Sequence, residues 1–291
     1  MKKIIILSII LPLSFIFLHV SKAEAKAKIT INVDKTEITQ GEKVRIYGRI
    51  KPVQTKVLIK IKKAEQINGK YKKFTSTKTN KKGKYSKKVS LTSGIKYLRV
   101  TYLYNDKKIK SKKKTVTIFM PFSLVTPYVN ESQIFSVPEA YSLSPNAPWG
   151  FVHPGVDFMI DATLIPFQAV TDGYITNYTA AKESGQMGWH VGFGIEHLDY
   201  TPAYNFETFS QDDAIGQMQI ANVFVQDGQF VKQGDLIGNL VYGGESAHVD
   251  FGVGYGGSRV CPESYFTSDA QASIMRLITK DHPTWPMCYT E

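Results

Sequence analysis

Seven short runs in the first part of the chain alternate between apolar and polar residues with a period of two, and they are rich in Val, Ile, Thr and Tyr. They read KITINVD, KVRIYGRI, KVLIKIKK, KFTSTKT, YSKKVSL, IKYLRVTYLY and KKKTVTI. Turn residues separate several of them, at Gln40-Gly41, Asn68-Gly69, Lys82-Gly83 and Asn105-Asp106. Because successive side chains of a strand point to opposite faces, this pattern predicts an antiparallel β-sandwich.

The sign of the charge changes at about residue 118. Residues 26–118 carry 28 Lys and Arg against 5 Asp and Glu, a net of +23, whereas residues 119–291 carry 5 against 19, a net of −14. An asymmetry of this kind is typical of separate modules. We therefore predict a basic β-sandwich over residues 26–118, a linker over 119–132 and a second domain over 133–291. The stretch TEITQGEKVRIYGRI also resembles the opening strands of bacterial immunoglobulin-like surface modules.

The N-terminus has the order of a secretory signal. Two lysines precede an apolar run from Ile4 to Leu18, and Ala23-Glu24-Ala25 supplies a small-residue cleavage site. The run is short for an uncleaved membrane anchor, and no later segment approaches spanning length. We predict that residues 1–25 are a signal peptide and that the chain is exported, without a membrane span after cleavage. Its place would be periplasmic, wall-associated or extracellular.

Export also bears on the two cysteines and on the lysines. In an oxidising compartment Cys261 and Cys288 are most simply joined in one disulfide. The lysines of residues 26–118 mostly occupy outward positions. They form either an ordinary solvated surface or one that attracts an anionic partner, which would be peptidoglycan, another anionic polymer of the envelope, or a membrane face. Nucleic acid is not expected as a partner, because the chain is exported and shows no nucleic-acid-binding motif.

Four segments of the second half occur in a characteristic order: HPGVDF, AVTDGYIT, FVQDGQFVKQGDLIG and SAHVDFGV. From about Gln133 to Gly254 this series resembles the lysostaphin-like zinc metallopeptidases, the LytM-domain family. The resemblance implies an antiparallel β-sheet domain of the duplicated hybrid type, so that the whole chain is expected to be mainly β. Biotin and lipoyl carrier domains share the glycine hairpin, but they need a modifiable lysine at its tip and lack HPGVDF.

The resemblance also implies roles for individual residues. In the family, the His and Asp of the first motif and the second His of an H-x-H motif bind zinc, and the first His of H-x-H is catalytic. Carried over, His153 and Asp157 are metal ligands and His248 is the catalytic histidine. Asp250 stands where the family has its third ligand, a histidine. Because His248 and Asp250 are two residues apart in a strand, they should share one face. The resemblance implies that this strand lies against the loop that carries HPGVDF, so that they should meet His153 and Asp157.

Two departures from the family alter the expected chemistry. An aspartate at position 250 replaces nitrogen by oxygen and removes one unit of positive charge, so we expect weaker zinc binding or another divalent metal. The second departure is the absence of the further catalytic histidine. Aligning on Tyr204 places Phe206 at its position, whereas counting residues places Glu207 there. Glu207 is a candidate general base.

The remaining histidines are assigned smaller roles. His197 matches a family position that is not a ligand, so a structural or supporting role is expected. His190 is either a surface residue or one that reaches the site. His282 is expected to be a tail residue without a role. Beyond the region of resemblance, SDAQASIMRLI predicts one amphipathic helix with Ser268 as its cap, folded back by the disulfide.

Two functions of different classes follow from these residues. The first is a metal-dependent endopeptidase that hydrolyses cell-wall peptide bonds, and we place it ahead because His153, Asp157 and His248 are all present. The second is a catalytically degenerate module that binds or regulates, for example by activating wall hydrolases. The loss of two histidines relative to the family favours that alternative.

Overall fold

The computed structural model describes residues 26–185 and 188–290. The predicted signal peptide, residues 1–25, lies outside the described residues. As predicted, the chain is mainly β, with several antiparallel sheets and a short helix near the C-terminus. No helix in the described ranges is long and apolar enough to cross a membrane.

The basic part of the chain forms short strands in the regions where the sequence alternates. They are β1 (Lys28–Ile29), β2 (Asn32–Val33), β3 (Glu37–Thr39), β4 (Lys43–Lys51), β5 (Leu58–Ala64), β6 (Lys72–Lys78), β7 (Lys84–Ser90), β8 (Gly94–Tyr104), β9 (Lys107–Lys110) and β10 (Lys114–Phe119).

These strands form two sheets that enclose one core. In the first sheet β4 pairs with β1, β2 and β7, and the second has the order β3–β10–β8–β5–β6 with β9 against β8. All pairs are antiparallel except β3 with β10. Side chains from both sheets, among them Ile46, Ile59, Ile61 and Val100, form a single apolar cluster. Strands such as β4 and β5 thus bury one face and expose the other, which is the arrangement that a period of two favours.

The acidic part is also built mainly from strands. They are β11 (Tyr141–Ser142), β12 (Val156–Met159), β13 (Ile165–Gln168), β14 (Gly173–Lys182), β15 (Trp189–Glu196), β16 (Tyr200–Glu207), β17 (Phe230–Val231), β18 (Leu236–Leu240), β19 (His248–Tyr255), β20 (Ser258–Val260) and β21 (Cys288–Tyr289). Two α-helices of the described ranges, α1 (Asp213–Ala221) and α2 (Ser268–Asp281), accompany them.

A seven-stranded sheet forms the body of this part, in the order β12–β19–β16–β15–β14–β17 with β20 against β19. Separate two-stranded sheets join β13 to β18 and β11 to β21. The core is rich in aromatic residues, and Phe158, Phe167, Phe206 and Phe251 are fully buried in it. The glycine-rich segment 224–238 includes β17 and the start of β18. These two strands do not pair with each other as the expected hairpin requires, since β17 pairs with β14 and β18 with β13.

The segment 119–132, which we predicted as a linker, packs against the second core. Leu124 and Tyr128 are fully buried there. The Leu124 amide donates to the carbonyl of Tyr265 at 2.9 Å, and the Thr267 amide donates to the carbonyl of Leu124 at 2.9 Å. Apolar side chains and backbone hydrogen bonds hold this segment in place, so most of it belongs structurally to the part that follows it.

The sequence did not predict α1. Its side chains show little separation into apolar and polar faces, and Gly216 in its interior lowers helix propensity. Asp212 caps the helix, with its carboxylate accepting from the Ala214 amide at 2.8 Å. The helix lies against β15, where Gly216 sits on the ring of Trp189. Tertiary packing therefore selects this helix.

Helix α2 is the helix expected near the C-terminus, and the predicted Cys261–Cys288 disulfide is present. Helix α2 buries Ala270, Ile274, Leu277 and Ile278 against the core. The cap is Thr267 and not Ser268, because the Thr267 hydroxyl accepts from the Ala270 amide at 3.2 Å while Ser268 is the first helical residue. A shift of one residue at a helix end is the usual uncertainty of a prediction from pattern.

Candidate metal centre

Strand pairing brings four polar side chains onto one face of the seven-stranded sheet. Strand β19 lies between β12 and β16, so that Asp157 faces Asp250 and Glu207 faces His248. Directly paired residues of antiparallel strands project from the same face, as do residues two apart in one strand. Asp157, Glu207, His248 and Asp250 therefore share that face.

His153 joins them from the loop before β12. Its Nε2 lies 3.3 Å from Oδ1 of Asp157 and 3.8 Å from Oδ1 of Asp250. Between these residues Gly155 makes the approach possible, because a Cβ at this position would overlap the carboxylate of Asp250. The structure thus brings together His153, Asp157 and Asp250, with His248 beside them.

His248 faces two carboxylates. Its Nε2 lies 3.5 Å from Oδ1 of Asp157 and 3.5 Å from Oε2 of Glu207. The amide of Asn205 donates to Oε1 of Glu207 at 2.6 Å and orients that carboxylate. Phe206, the other candidate for the family's histidine position, points into the core and is fully buried. Of the two alignments, the one that counts residues gives the side chain that faces the cluster.

Sequence reasoning missed a fourth carboxylate, that of Glu139. Its Oε2 lies 3.9 Å from Nε2 of His153, and its backbone carbonyl accepts from the Asp157 amide at 3.0 Å. Glu139, His153 and Asp157 offer ligand atoms that all lie within 4.8 Å of one another. Glu139 precedes His153 in a stretch without a recognisable motif, so only the folded chain reveals it.

The donor set fits a divalent cation. Oδ1 of Asp157 and Oδ1 of Asp250 are buried and accept no hydrogen bond from the described residues. Nδ1 of His153 lies 3.3 Å from the carbonyl of Ala140, and Nδ1 of His248 lies 2.7 Å from the carbonyl of Ser246. Metal-binding histidines commonly donate one ring N–H in this way, which leaves the other nitrogen free for the ion.

The acid–base properties of the cluster reflect the concentration of carboxylates. Burial alone would lower the pKa of His153, but the nearby carboxylate of Asp157 and the charge of Asp250 raise it to about 9. Burial raises the pKa of Glu207 to about 7, against the opposing charge of His248. Burial and then the charge of Asp157 raise the pKa of Asp250. Carboxylates this close together favour a cation, whether a proton or a metal ion.

Of the remaining histidines, His197 and His282 lie outside the cluster and His190 lies at its edge. His197 is fully buried, and its Nδ1 lies 2.6 Å from the carbonyl of Asp172. His190 pairs with Glu207 across β15 and β16 and so shares the face of the cluster, and it lines the same groove as Asp250. The carboxylate near its Nε2 is that of Glu183, at 3.9 Å. His282 stacks on Trp285 in the C-terminal segment.

A groove of about 520 Å³ crosses the sheet beside the cluster. Asp250 lines it and keeps 32% of its side chain exposed, although its Oδ1 is buried. Arg259, on the returning strand β20, also lines the groove, and its guanidinium lies over Gly252, where a Cβ would overlap it. The charge of Arg259 opposes the rise in the pKa of Asp250. The groove would admit an extended chain to the cluster.

Comparisons with known proteins add little to this description. No protein-family model matches the chain, and no curated protein matches it. One similar solved structure is the tetra-tandem repeat in the extending region of a large adhesion protein, at 9% identity and a TM-score of 0.34. The match covers 79% of this chain and 49% of the adhesion-protein chain, so this chain spans about half the length of that structure. A likeness of this degree assigns neither a family nor a function.

Proposed function

We propose that the acidic half of the chain is a metal-dependent endopeptidase, exported from the cell, that hydrolyses peptide bonds of cell-wall peptidoglycan. The observation that carries the proposal is the meeting of His153, Asp157 and Asp250 beside His248 at an open groove. Two buried carboxylate oxygens without hydrogen-bond donors support a cation at this point.

In this proposal His153, Asp157 and Asp250 hold the ion, with Glu139 as an additional carboxylate. A divalent ion supplies Lewis-acid polarisation of a carbonyl oxygen and acidifies water. Carboxylates outnumber imidazoles among these side chains, which favours harder ions than an all-nitrogen site does. Zinc is the expected ion by resemblance, with weaker affinity than in the family, and another divalent metal is the alternative.

In this proposal His248 and Glu207 act as the groups that accept and donate the proton of the attacking water. The His248 Nε2 lies 3.5 Å from Oε2 of Glu207, which places an imidazole and a carboxylate side by side at the cluster. Asn205 fixes the Glu207 carboxylate, and the carbonyl of Ser246 fixes the orientation of the His248 ring. An acceptor with a pKa of about 7, as Glu207 has, is well matched to taking a proton from water near neutral pH.

The substrate class rests on two expectations from the sequence. The ordered motifs resemble those of the lysostaphin-like peptidases, and the N-terminal residues have the order of a secretory signal. The disulfide agrees with an oxidising compartment outside the cytoplasm. An exported peptidase of this type would meet its substrate in the envelope.

A specific observation favours the degenerate binding or regulatory module as a second candidate. Among the described histidines, only His153 and His248 take part in the cluster, and carboxylates stand at positions 207 and 250. Such a module would keep the groove for binding a wall peptide or a wall hydrolase and would not hydrolyse peptide bonds.

The test is the metal content of the mature protein, residues 26–291, together with a peptidase assay on purified peptidoglycan with and without a chelator. We expect a bound divalent ion and chelator-sensitive release of peptides. Asp250→His should strengthen zinc binding and raise activity, because it restores a nitrogen ligand. His248→Ala should abolish hydrolysis while the metal stays bound, and His282→Ala is the matched control.

Two results would decide against the enzyme. Failure to bind any divalent ion at micromolar concentrations would remove the metal site. Metal binding without hydrolysis, in both the natural chain and Asp250→His, would leave the binding module as the function.

A further inference from the structure

The basic half carries a hollow on the outer face of its six-stranded sheet, where β5, β8 and β9 meet. Its volume is about 300 Å³, and we call it the basic hollow. Its lining includes Leu58, Lys60, Lys62, Thr101, Leu103 and Lys108. The hollow lies in the half of the chain that takes no part in the candidate metal centre.

The strand register explains why lysines surround this hollow. Lys60 faces Thr101 across β5 and β8, and Thr101 in turn faces Lys110 across β8 and β9. On the same side Leu103 faces Lys108. The alternation that buries the core side chains thus collects ammonium groups from two strands around one point.

The positive charges act on one another. Burial, and then the charges of Lys108, Lys60 and Lys110, lower the pKa of Lys62. These lysines lie on β5 and β9, on either side of β8, and their mutual repulsion costs stability in the free protein. A surface that served only for solubility would not need to concentrate its lysines in this way.

Carboxylates of the basic half do not neutralise the hollow. The ion pairs in this half join Asp34 to Arg45, Glu42 to Lys35, and Glu65 to Lys63 and Lys96. Within the described ranges, no ion pair reaches Lys60, Lys62, Lys108 or Lys110. Over the residues that the structure describes, these lysines are therefore not neutralised by a carboxylate at ion-pair distance and remain available to an anionic partner.

The floor of the hollow is apolar. Leu58 and Leu103 expose 46% and 59% of their surface there. A small inorganic anion would use the lysines but not these leucines. A polysaccharide that carries phosphate groups suits both, because its anions can meet several ammonium groups in succession and the C–H faces of its sugar rings can cover the leucines.

We propose that the basic hollow binds a phosphate-bearing polysaccharide of the cell envelope. Such binding would hold the chain at the envelope while the acidic half stays free to act. The proposal depends on export but not on hydrolysis. The net charge alone predicts attraction to anionic polymers, whereas the proposal assigns that attraction to one site.

The experiment measures binding of residues 26–291 to phosphomannan, with unphosphorylated mannan and polyphosphate as comparison probes, in a titration over salt concentration. The test variant carries Lys60→Gln, Lys62→Gln and Lys108→Gln. The control carries Lys72→Gln, Lys87→Gln and Lys88→Gln, which lie on other strands and change the net charge equally. A further variant, Leu58→Ser with Leu103→Ser, tests the floor.

We expect the test variant to bind phosphomannan at least about tenfold more weakly, with a smaller salt dependence, because fewer counterions are released. The control variant should lose much less affinity for phosphomannan. The leucine variant should weaken binding to phosphomannan but not to polyphosphate.

Equal losses of affinity for phosphomannan in the two lysine variants would overturn the proposal. They would show that binding depends only on the net charge of the chain. Equally tight, lysine-dependent binding to vesicles of anionic lipid would assign the hollow to membranes. Self-association without polymer that the test variant abolishes would assign it to the acidic half of a second copy. Since none of these readouts involves hydrolysis, their failure is distinct from failure of the peptidase proposal.

Discussion

At the scale of single residues, the candidate centre depends on two glycines whose missing side chains leave room for charged neighbours. Gly155 lies between His153 and Asp157 and has no side chain, which leaves room for the carboxylate of Asp250. In a second place Gly252 leaves room for the guanidinium of Arg259. Both positions yield predictions that separate the cation site from the fold.

Gly155→Ala should lower the affinity for a divalent cation by roughly tenfold or more, because the added methyl group displaces the Asp250 carboxylate from the cluster. Calorimetric titration with Zn²⁺ and with Mn²⁺ measures the change. Gly254→Ala is the matched control, since a Cβ there makes only an ordinary contact, 3.5 Å from the carbonyl oxygen of Thr201. Unchanged affinity in Gly155→Ala would show that Asp250 does not contribute to cation binding.

Arg259→Gln should have the opposite effect and strengthen cation binding, by about threefold, because it removes a positive charge beside the carboxylates. The gain should shrink at high ionic strength, since Arg259 is exposed and its field is screened. Arg276→Gln, which changes the same charge on α2, serves as the control. Equal affinities for the two variants would show that the guanidinium has no influence on the site.

At the scale of secondary-structure elements, the C-terminal extension is held by a helix cap and a disulfide. Thr267→Ala should cost about 1 kcal/mol of stability because it removes the hydroxyl that accepts from the Ala270 amide. Ser268→Ala should cost little, since Ser268 is exposed and is not the cap. Denaturant unfolding of both variants measures the difference. A larger loss in Ser268→Ala would favour the cap predicted from the sequence.

The disulfide stabilises the same extension by restricting the unfolded chain. Replacing Cys261 and Cys288 together by Ser should lower the free energy of unfolding of the acidic half by about 3 kcal/mol. The effect should appear as earlier exposure of α2 and β21 to hydrogen exchange. Unchanged protection there would show that packing of Ile274 and Ile278 alone holds the helix.

At the scale of the whole molecule, the two halves have separate apolar cores. Contacts that join them include Thr117 Oγ1 with the Tyr174 hydroxyl at 2.7 Å and the Met120 amide with a carboxylate oxygen of Asp172 at 2.8 Å. Because each half has its own apolar core, we expect residues 26–120 and residues 119–291, each produced alone, to unfold cooperatively at nearly the midpoints that they show in the full chain. A single transition of the full chain, with either piece unfolded, would contradict independent folding.

The local pattern of the sequence predicted most of the strands of the basic half and the C-terminal helix. It predicted less well where elements end and how the segment between the two halves packs. Alternation predicted the sandwich, because a strand that buries one face needs an apolar residue at every second position. Pattern did not predict α1, whose glycine is accommodated by the ring of Trp189, nor the packing of residues 119–132 on the second core. In both cases the stabilising contacts come from residues distant in sequence.

For the candidate site, the sequence by itself determined that His248 and Asp250 share a face, since two residues of a strand define it. It also presented His153 and Asp157 as a pair in a motif. Only the tertiary structure decided that Glu139 joins them and that Glu207, rather than Phe206, faces His248. The physical reason is that strand register sets which side chains meet, and register depends on burial of the whole sheet and not on any one segment.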